Sequence, residues 1–268
     1  MIFINKDIKI SRIHSVVFDF DGTLSLIRKG WQEIMTPYFV EVLMNTPNHD
    51  SLEKERVCAR EFIDILTGKQ TIYQCIRLNE EVIKRGGISK EPLLYKNEYH
   101  RRLLEKIKYR REGLKNKSID RTKYMVVGTI EVLEMLHSHK VNLYLASGTD
   151  EKYVKEEVEL LGLTKYFGEY IYGARDDFKL FSKAMVIKNI INENKLQGSS
   201  LVGFGDGYVE IENIKDVGGI AIGVATNEDT MIGMDKWKLE RLTRAKADVI
   251  ISDFRNIKEI EDFLFGGK

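Results

Sequence analysis

A chain of 268 residues, 43% of them hydrophobic, can bury the core of one large domain or two ordinary ones. The 42 basic and 41 acidic residues leave a net charge of +1, so the overall charge favours no nucleic acid, membrane surface or acidic ligand. The two cysteines lack the number and spacing of a disulfide framework or a zinc site, and no run approaches the roughly 18 apolar residues of a membrane span. The N-terminus also lacks the apolar core of a signal peptide, so we expect a globular, cytoplasmic protein.

Apolar runs of strand length recur along the chain, and most are separated by segments with helical periodicity. The runs cover residues 13–18, 141–146, 200–204, 220–225 and 248–252. This alternation predicts an α/β fold with a parallel sheet built from strand-helix-strand units. Ligands bind such sheets at the carboxyl ends of the strands. Three of the runs end there in residues suited to chemistry: Asp19, Ser147 and Asp206.

Residues 28–121 interrupt the alternation, because they contain almost no strand-like run and are dense in helical periodicity. The segment is too long for a loop inside a compact domain, so we interpret it as a helical insertion. Its three prolines can start or separate helices. The predicted organisation is one domain formed by residues 1–27 and 122–268 and a second domain formed by residues 28–121.

The first strand runs directly into two carboxylates, in the sequence Asp-Phe-Asp-Gly-Thr at residues 19–23. Two like charges this close repel unless a cation or a proton lies between them. Gly22 permits a turn that lets backbone N–H groups approach a ligand. One carboxylate can attack phosphorus while a second acid protonates the leaving oxygen. The same pattern also suits turns and calcium loops.

Two further segments could hold an anion. Ser147 and the N–H group of Gly148 follow the second core strand and can donate to a phosphoryl oxygen, although Ser-Gly-Thr is also a common loop and helix cap. Lys183 lies at the predicted start of a helix, where its ammonium group would offset the charge of a nucleophile and a phosphate. A lysine in a chain with 42 basic residues is more often a surface residue.

Asp206 and Glu210 supply acidic groups after the third of these strands, within the sequence Gly-Asp-Gly-Tyr-Val-Glu. Carboxylate oxygens bind hard cations, and Glu210 can reach the same site directly or through water. Magnesium suits this arrangement, because it keeps several waters and is commonly held by one or two carboxylates plus phosphate. Gly-Asp-Gly alone could also be a turn.

Together, the order of these segments and their positions at strand ends resemble the haloacid dehalogenase superfamily of aspartate-nucleophile phosphotransferases. The resemblance covers residues 10–27 and 122–255, and residues 19–23 are its most specific motif. It implies a Rossmann-like doubly wound parallel sheet with an inserted α-helical cap domain. Glu210 stands where many members of the superfamily have aspartate, and Val209 replaces an asparagine that often precedes that acid.

The resemblance also implies roles for individual residues. Asp19 would be the nucleophile and a Mg²⁺ ligand, and Asp21 would be the general acid/base that gives its backbone carbonyl to the metal. Asp206 would be the remaining acidic metal ligand, with Glu210 near the same ion. The residues implied to hold the phosphoryl group are Thr23, Ser147, Gly148 and Lys183.

Asp21 narrows the expected reaction, since members that cleave carbon-halogen bonds generally lack an acid at this position. We therefore predict a magnesium-dependent phosphatase that acts on a small phosphorylated metabolite, a sugar or polyol phosphate, and has no nucleic-acid or membrane partner. One alternative is a phosphomutase of the β-phosphoglucomutase type, which shares the motifs and the cap position. A second alternative is a non-catalytic sensor that binds a phosphorylated ligand.

The insertion is expected to carry substrate specificity. Lys69 and Gln70, in a polar loop between helices, could hydrogen-bond substrate hydroxyls, although the loop also fits an ordinary helix connection. Residues 100–123 contain ten Lys or Arg residues against three acidic ones. This segment is interpreted either as a solvated helix face or as a means of attracting an anionic substrate. Its aromatic residues are too sparse for a nucleic-acid strip.

Overall fold

The five apolar runs each contribute a strand to a seven-stranded sheet in the computed structural model, which describes residues 1–175 and 177–266. The predicted core range 122–268 therefore includes residues 176, 267 and 268, which lie outside the described residues. The strands are β1 (Ile2–Phe3), β2 (Ser15–Phe18), β3 (Asn142–Asp150), β4 (Ile171–Ala174), β5 (Leu201–Gly205), β6 (Ile220–Val224) and β7 (Val249–Ile251). Their order is β1-β7-β6-β5-β2-β3-β4, and only β1 pairs antiparallel among these strands.

Helices connect the strands and cover both faces of the sheet. They are α1 (Gln32–Met44), α2 (Leu52–Leu66), α3 (Thr71–Lys84), α4 (Pro92–Lys115), α5 (Thr129–Ser138), α6 (Glu151–Leu160), α7 (Thr164–Phe167), α8 (Lys183–Glu193), α9 (Tyr208–Asp216), α10 (Lys236–Arg244) and α11 (Ile257–Phe265). Single 3-10 turns occur at Arg121–Tyr124, Phe178–Leu180 and Gly198–Ser200. Among the helices of the described residues, none combines the length and the apolar character needed to cross a bilayer.

The central strand β2 is buried on both sides of the sheet. Val16 and Phe18 belong to the hydrophobic cluster on one face, whereas Val17 belongs to the cluster on the other face, as strand geometry requires. Phe18 stacks on Phe204 of the neighbouring strand β5, with ring centroids 4.9 Å apart. A sheet covered on both faces explains why the core strands read as nearly continuous apolar runs.

Helices α1 to α4 form the insertion between β2 and β3, and their buried apolar residues pack on one another in a cluster that continues into one face of the sheet. Phe39 of α1 stacks on Phe62 of α2 within this cluster. Pro92 occupies the first turn of α4, where its missing N–H group costs nothing, whereas Pro37 lies inside α1 rather than at a helix boundary. The predicted fold class, a Rossmann-like doubly wound sheet with an inserted α-helical domain, is confirmed.

Candidate active site

The parallel register of three strands brings the sequence motifs to one edge of the sheet. Phe18 at the end of β2 lies opposite Leu145 of β3 and Phe204 of β5. A cavity of about 100 Å³ lies at this edge, between the sheet and the inserted helices. Its walls are formed by Asp19, Asp21, Arg28, Trp31, Met35, Thr67, Gly68, Lys69, Thr71, Gln74, Tyr99, Ser147, Gly148, Thr149, Lys183 and Asp206.

Lys183 joins two carboxylates at the floor of the cavity. Its Nζ atom donates to Asp19 Oδ1 at 2.7 Å and also contacts Glu210 Oε1. The Ser182 side chain caps α8 by accepting a hydrogen bond from the N–H group of Met185, so Lys183 is the first residue of the helix. All three charged side chains are buried, at 7% exposure or less.

Burial and neighbouring charges shift the pKa values of Asp19 and Lys183. Burial raises the pKa of Asp19 well above its ordinary value, and the Glu210 and Asp206 carboxylates raise it further, while Lys183 opposes the shift. Burial works to lower the pKa of Lys183, but Asp19 and Glu210 together outweigh it and keep that pKa above its ordinary value. The floor of the cavity therefore favours additional positive charge.

Asp21 occupies a different environment on the cavity wall. Its Oδ2 atom accepts a hydrogen bond from Thr149 Oγ1 at 2.9 Å and lies 3.5 Å from Ser147 Oγ. Its buried Oδ1 atom has no hydrogen-bond partner within the described residues. Burial raises the pKa of Asp21 to about 6, and the Arg28 guanidinium opposes that rise. Such a carboxyl group can both donate and accept a proton near neutral pH.

Gly22 allows Asp206 to approach the loop that carries the two aspartates. Its φ angle is +78°, and a Cβ atom at this position would lie 2.1 Å from Asp206 Oδ2. Both the backbone conformation and the space therefore require glycine. The turn sets the Asp206 carboxylate against the backbone of residues 19–22.

Asp206 also contacts a lysine that the sequence analysis missed. Lys238 Nζ lies 2.8 Å from Asp206 Oδ2 and donates to Glu228 Oε1 at 2.7 Å. Asp235 caps α10 by accepting from the N–H group of Lys238, which places this lysine in the first turn of the helix. No motif distinguishes Lys238 from the other basic residues of the chain.

The donor set can be tested against a magnesium ion. Among residues 1–175 and 177–266, no three His, Cys, Asp or Glu side chains are placed to hold a metal on their own. Magnesium does not need three, since one or two carboxylates with waters and phosphate suffice. Asp19 and Asp206 offer hard oxygens on the wall of the same cavity, and buried Glu210 Oε2 has no hydrogen-bond partner in the described part of the chain. The residues present fit magnesium.

Some of the remaining predicted site residues line the cavity, whereas others do not. Gly148 approaches the inserted helices, because a Cβ atom there would lie 2.8 Å from the Lys69 carbonyl oxygen. Lys69 is exposed and lines the cavity. Thr23 is fully buried, does not line the cavity and has an Oγ1 atom without a partner in the described residues.

The Gln70 side chain contacts the domain formed by residues 1–27 and 122–268 and does not line the cavity. This placement differs from the predicted contact of Gln70 with substrate hydroxyls. Its buried amide Nε2 donates to the carbonyl oxygens of Phe181 at 2.7 Å and Phe178 at 3.1 Å. Two core residues make similar contacts with the end of α2. Tyr208 Oη donates to the Ile65 carbonyl at 2.5 Å, and Arg241 Nη1 donates to the Asp64 carbonyl at 2.7 Å. We call the hydrogen bonds made by Gln70, Tyr208 and Arg241 the carbonyl contacts of the 64–70 loop, since they join residues 64–70 to the core domain.

Substitutions at Lys69 and Gln70 are expected to act differently. Gln70→Ala should lower the free energy of unfolding by about 1–3 kcal/mol, because it removes a buried donor from two carbonyls, and should leave KM unchanged. Lys69→Ala should raise KM about tenfold, the effect of one lost charged hydrogen bond, and change stability by less than about 0.5 kcal/mol. Urea denaturation and steady-state kinetics measure both effects. A raised KM for Gln70→Ala with unchanged stability would contradict this assignment.

The basic segment of α4 does not line the cavity. Arg101 and Arg102 pair with Glu98, and Arg102 also pairs with Glu41. The sequence analysis also missed several residues that form the wall, and Arg28 and Tyr99 are two of them. Neither belongs to a motif, and they reach the cavity only because the insertion folds back over the strand ends.

Comparison with known proteins places the chain in a family. The family model described as haloacid dehalogenase-like hydrolase matches residues 16–224. No curated protein matches the sequence significantly. Solved structures with similar folds have low sequence identity to this chain, so their similarity concerns the fold alone.

The solved structures with similar folds include a β-phosphoglucomutase from Clostridium difficile, with 14% identity, a TM-score of 0.61 and coverage of 93% of this chain and 96% of that one. A predicted phosphoglycolate phosphatase from Haemophilus somnus has 16% identity, a TM-score of 0.60 and coverage of 94% and 99%. A predicted phosphatase from Clostridium acetobutylicum has 17% identity, a TM-score of 0.59 and coverage of 96% and 100%. The family match spans most of the chain and confirms the resemblance seen in the motifs, so this protein belongs to the haloacid dehalogenase-like hydrolases.

Proposed function

We propose that the protein is a magnesium-dependent phosphatase that hydrolyses a small phosphorylated metabolite, a sugar or polyol phosphate, through an aspartyl-phosphate intermediate. One observation carries the proposal. Asp19 and Asp21 line the same cavity, but Asp19 is bonded to Lys183 whereas Asp21 has a pKa of about 6. Two carboxyl groups in environments this different suit a nucleophile and a proton-transfer group.

In the first step, a carboxylate oxygen of Asp19 attacks the phosphorus atom and the bond between phosphorus and the ester oxygen breaks. Asp21, in its protonated form, donates its proton to the departing oxygen. Lys183 and the Ser147 hydroxyl stabilise the negative charge on the phosphoryl oxygens. The hydrogen bond from Thr149 holds the Asp21 carboxyl at the cavity wall.

In the second step, Asp21 takes a proton from a water molecule, and the resulting oxygen attacks phosphorus and releases Asp19. Asp19, Asp206 and the Asp21 backbone carbonyl would hold magnesium, with Glu210 near it. The bound ion would neutralise charge on the phosphate and help to orient it. We further propose that residues 28–121 act as a cap over the core formed by residues 1–27 and 122–268, and thereby limit water in the cavity.

The direct test is the release of inorganic phosphate from sugar phosphates, polyol phosphates, nucleotides and phosphoglycolate, with magnesium or with chelator. We expect magnesium-dependent release from a few small substrates. Transfer of phosphate within a sugar without release would instead indicate a mutase. Binding of phosphorylated compounds without turnover would indicate a sensor.

Magnesium should also stabilise the folded protein, because the folded state alone gathers its ligands. At about 100 times the dissociation constant, the ion should add about 2.7 kcal/mol to the free energy of unfolding. Asp206→Asn should abolish most of this gain, since an amide is a poorer ligand for a hard cation. Thermal denaturation at increasing magnesium concentration measures the effect. An equal gain in the variant would exclude Asp206 as a ligand.

A further inference from the structure

Arg28 lies between β2 and α1, and its buried guanidinium forms part of the cavity wall. Its Nε atom donates to both carboxylate oxygens of Glu157, at 3.2 and 3.0 Å, and Nη2 donates to Oε1 at 2.9 Å. Glu157, on α6, is fully buried. Several charged hydrogen bonds between two planar groups fix the plane of the guanidinium.

The backbone on either side of Arg28 is also fixed. Arg110 of α4 donates from Nη1 to the carbonyl oxygens of Ile27 and Lys29, each at 2.8 Å. The inserted helices therefore hold the backbone of Arg28 while the core holds its side chain. A charged group restrained in this way can impose its position on a neighbouring side chain.

That neighbour is Asp21. Its Oδ1 atom lies 3.9 Å from Arg28 Nε, a distance too long for a hydrogen bond but short enough for strong attraction at a buried site. The other oxygen, Oδ2, accepts the hydrogen bond from Thr149. Arg28 and Thr149 thus restrain the same carboxyl group through different oxygens.

The location of this ion pair also needs explanation. Taking an arginine and a glutamate out of water carries a desolvation cost that their attraction often fails to recover, and apolar residues could join the same two segments. Arg28 nevertheless occupies the wall of the cavity, where buried Glu157 holds it beside a carboxyl group that the proposed reaction requires. This placement favours a role in the reaction over a role in folding alone.

We infer that Arg28, held by Glu157, is a positioning residue that keeps the Asp21 carboxyl directed at the leaving oxygen of the substrate. The inference rests on the proposed function, in which Asp21 transfers that proton. It has a specific consequence: the contribution of Arg28 must depend on how much the leaving oxygen needs protonation. An alkyl phosphate needs the proton, whereas p-nitrophenyl phosphate expels a stable anion without it.

The experiment compares kcat/KM for glycerol phosphate and p-nitrophenyl phosphate, because kcat/KM reports the transfer of phosphate to Asp19 and not the later hydrolysis step, in which Asp21 acts as a base for both substrates. Arg28→Lys keeps the charge but cannot bond both oxygens of Glu157 in one plane. We expect it to lower kcat/KM for glycerol phosphate about 100-fold, the usual contribution of general acid catalysis, and kcat/KM for p-nitrophenyl phosphate by less than about threefold. Glu157→Gln should show the same substrate dependence with a smaller loss, and it serves if Arg28→Lys fails to fold.

Arg85 provides a matched control. It pairs with buried Glu55, with Nε and Nη2 each 2.8 Å from a carboxylate oxygen, but neither residue lines the cavity. Arg85→Lys should lower the melting temperature and change kcat/KM for both substrates by less than about twofold. Comparison of Arg28→Lys with Arg85→Lys therefore separates the effect of losing a buried ion pair from the effect of losing the orientation of Asp21.

Equal losses of kcat/KM for both substrates in Arg28→Lys would overturn the inference and leave a structural role. A raised KM for both substrates with unchanged kcat would also overturn it, because Arg28 would then contact the substrate directly. In either case, turnover by the wild-type protein would leave the proposed function intact. If the wild-type protein released no phosphate from either these two substrates or the wider panel, both proposals would fail.

Discussion

Lys183→Met should destabilise the protein and abolish most of its turnover. The lysine is the cation between Asp19 and Glu210, and its removal leaves two buried carboxylates facing each other. Breaking a buried ion pair from one side costs about 3–5 kcal/mol of unfolding free energy. Turnover should fall at least about 100-fold, because the phosphoryl oxygens lose a fixed positive charge. Urea denaturation and phosphate release measure the two effects.

A second substitution separates stability from chemistry. Lys183→Met combined with Glu210→Gln removes one of the unpaired carboxylates and should recover about 1–3 kcal/mol, without restoring turnover. Lys188→Met, at an exposed position on the same helix, should change the unfolding free energy by less than about 0.5 kcal/mol. Recovery of turnover in the double variant would show that Lys183 is not needed for the reaction.

Asp19→Asn should remove activity without a loss of stability. Phosphate release should fall about 10⁴-fold or more, because an amide cannot serve as the nucleophile. Burial and the neighbouring carboxylates raise the pKa of Asp19, so the folded state disfavours its charged form. A neutral amide at this position should therefore leave the melting temperature at pH 7 equal to or above that of the wild type.

The control for this prediction is Asp216→Asn, which makes the same chemical change at an exposed position on α9. Its activity and melting temperature should match those of the wild type. Substantial turnover by Asp19→Asn would rule out the aspartyl-phosphate route. A large fall in its melting temperature would show that the Asp19 charge supports the fold.

The central strands and the motif positions could be predicted from the sequence, because a sheet buried on both faces requires long apolar runs. The two edge strands β1 and β4 were not predicted. β1 has only two residues, both exposed, and β4 contains Gly173 within four residues, so neither produces a strong hydrophobic pattern. Short strands of this kind form because a neighbouring strand offers hydrogen bonds.

The site divides in a similar way. Asp19, Asp21 and Asp206 follow strands whose parallel register places them together, so their proximity could be inferred from sequence order. Arg28 and Lys238 could not be found, since Arg28 meets Glu157, and Lys238 meets Asp206, only where segments distant in the sequence pack together. Gln70 is the opposite case, a residue that the sequence predicted at the site but that has another role. In the sequence it is a polar loop residue suited to bind substrate, but in the structure its amide donates to a backbone carbonyl oxygen of the core domain.

The carbonyl contacts of the 64–70 loop bear on how this protein could evolve. Tyr208 and Arg241 donate hydrogen bonds to backbone carbonyl oxygens at the end of α2, and every residue type provides such an oxygen. Exposed loop side chains such as Lys69 can therefore be exchanged without weakening these attachments. Selection for a new leaving group could alter the residues above the cavity while the core, its charges and these contacts with the insertion stay constant. Such a separation lets substrate range diverge quickly on an unchanged reaction centre.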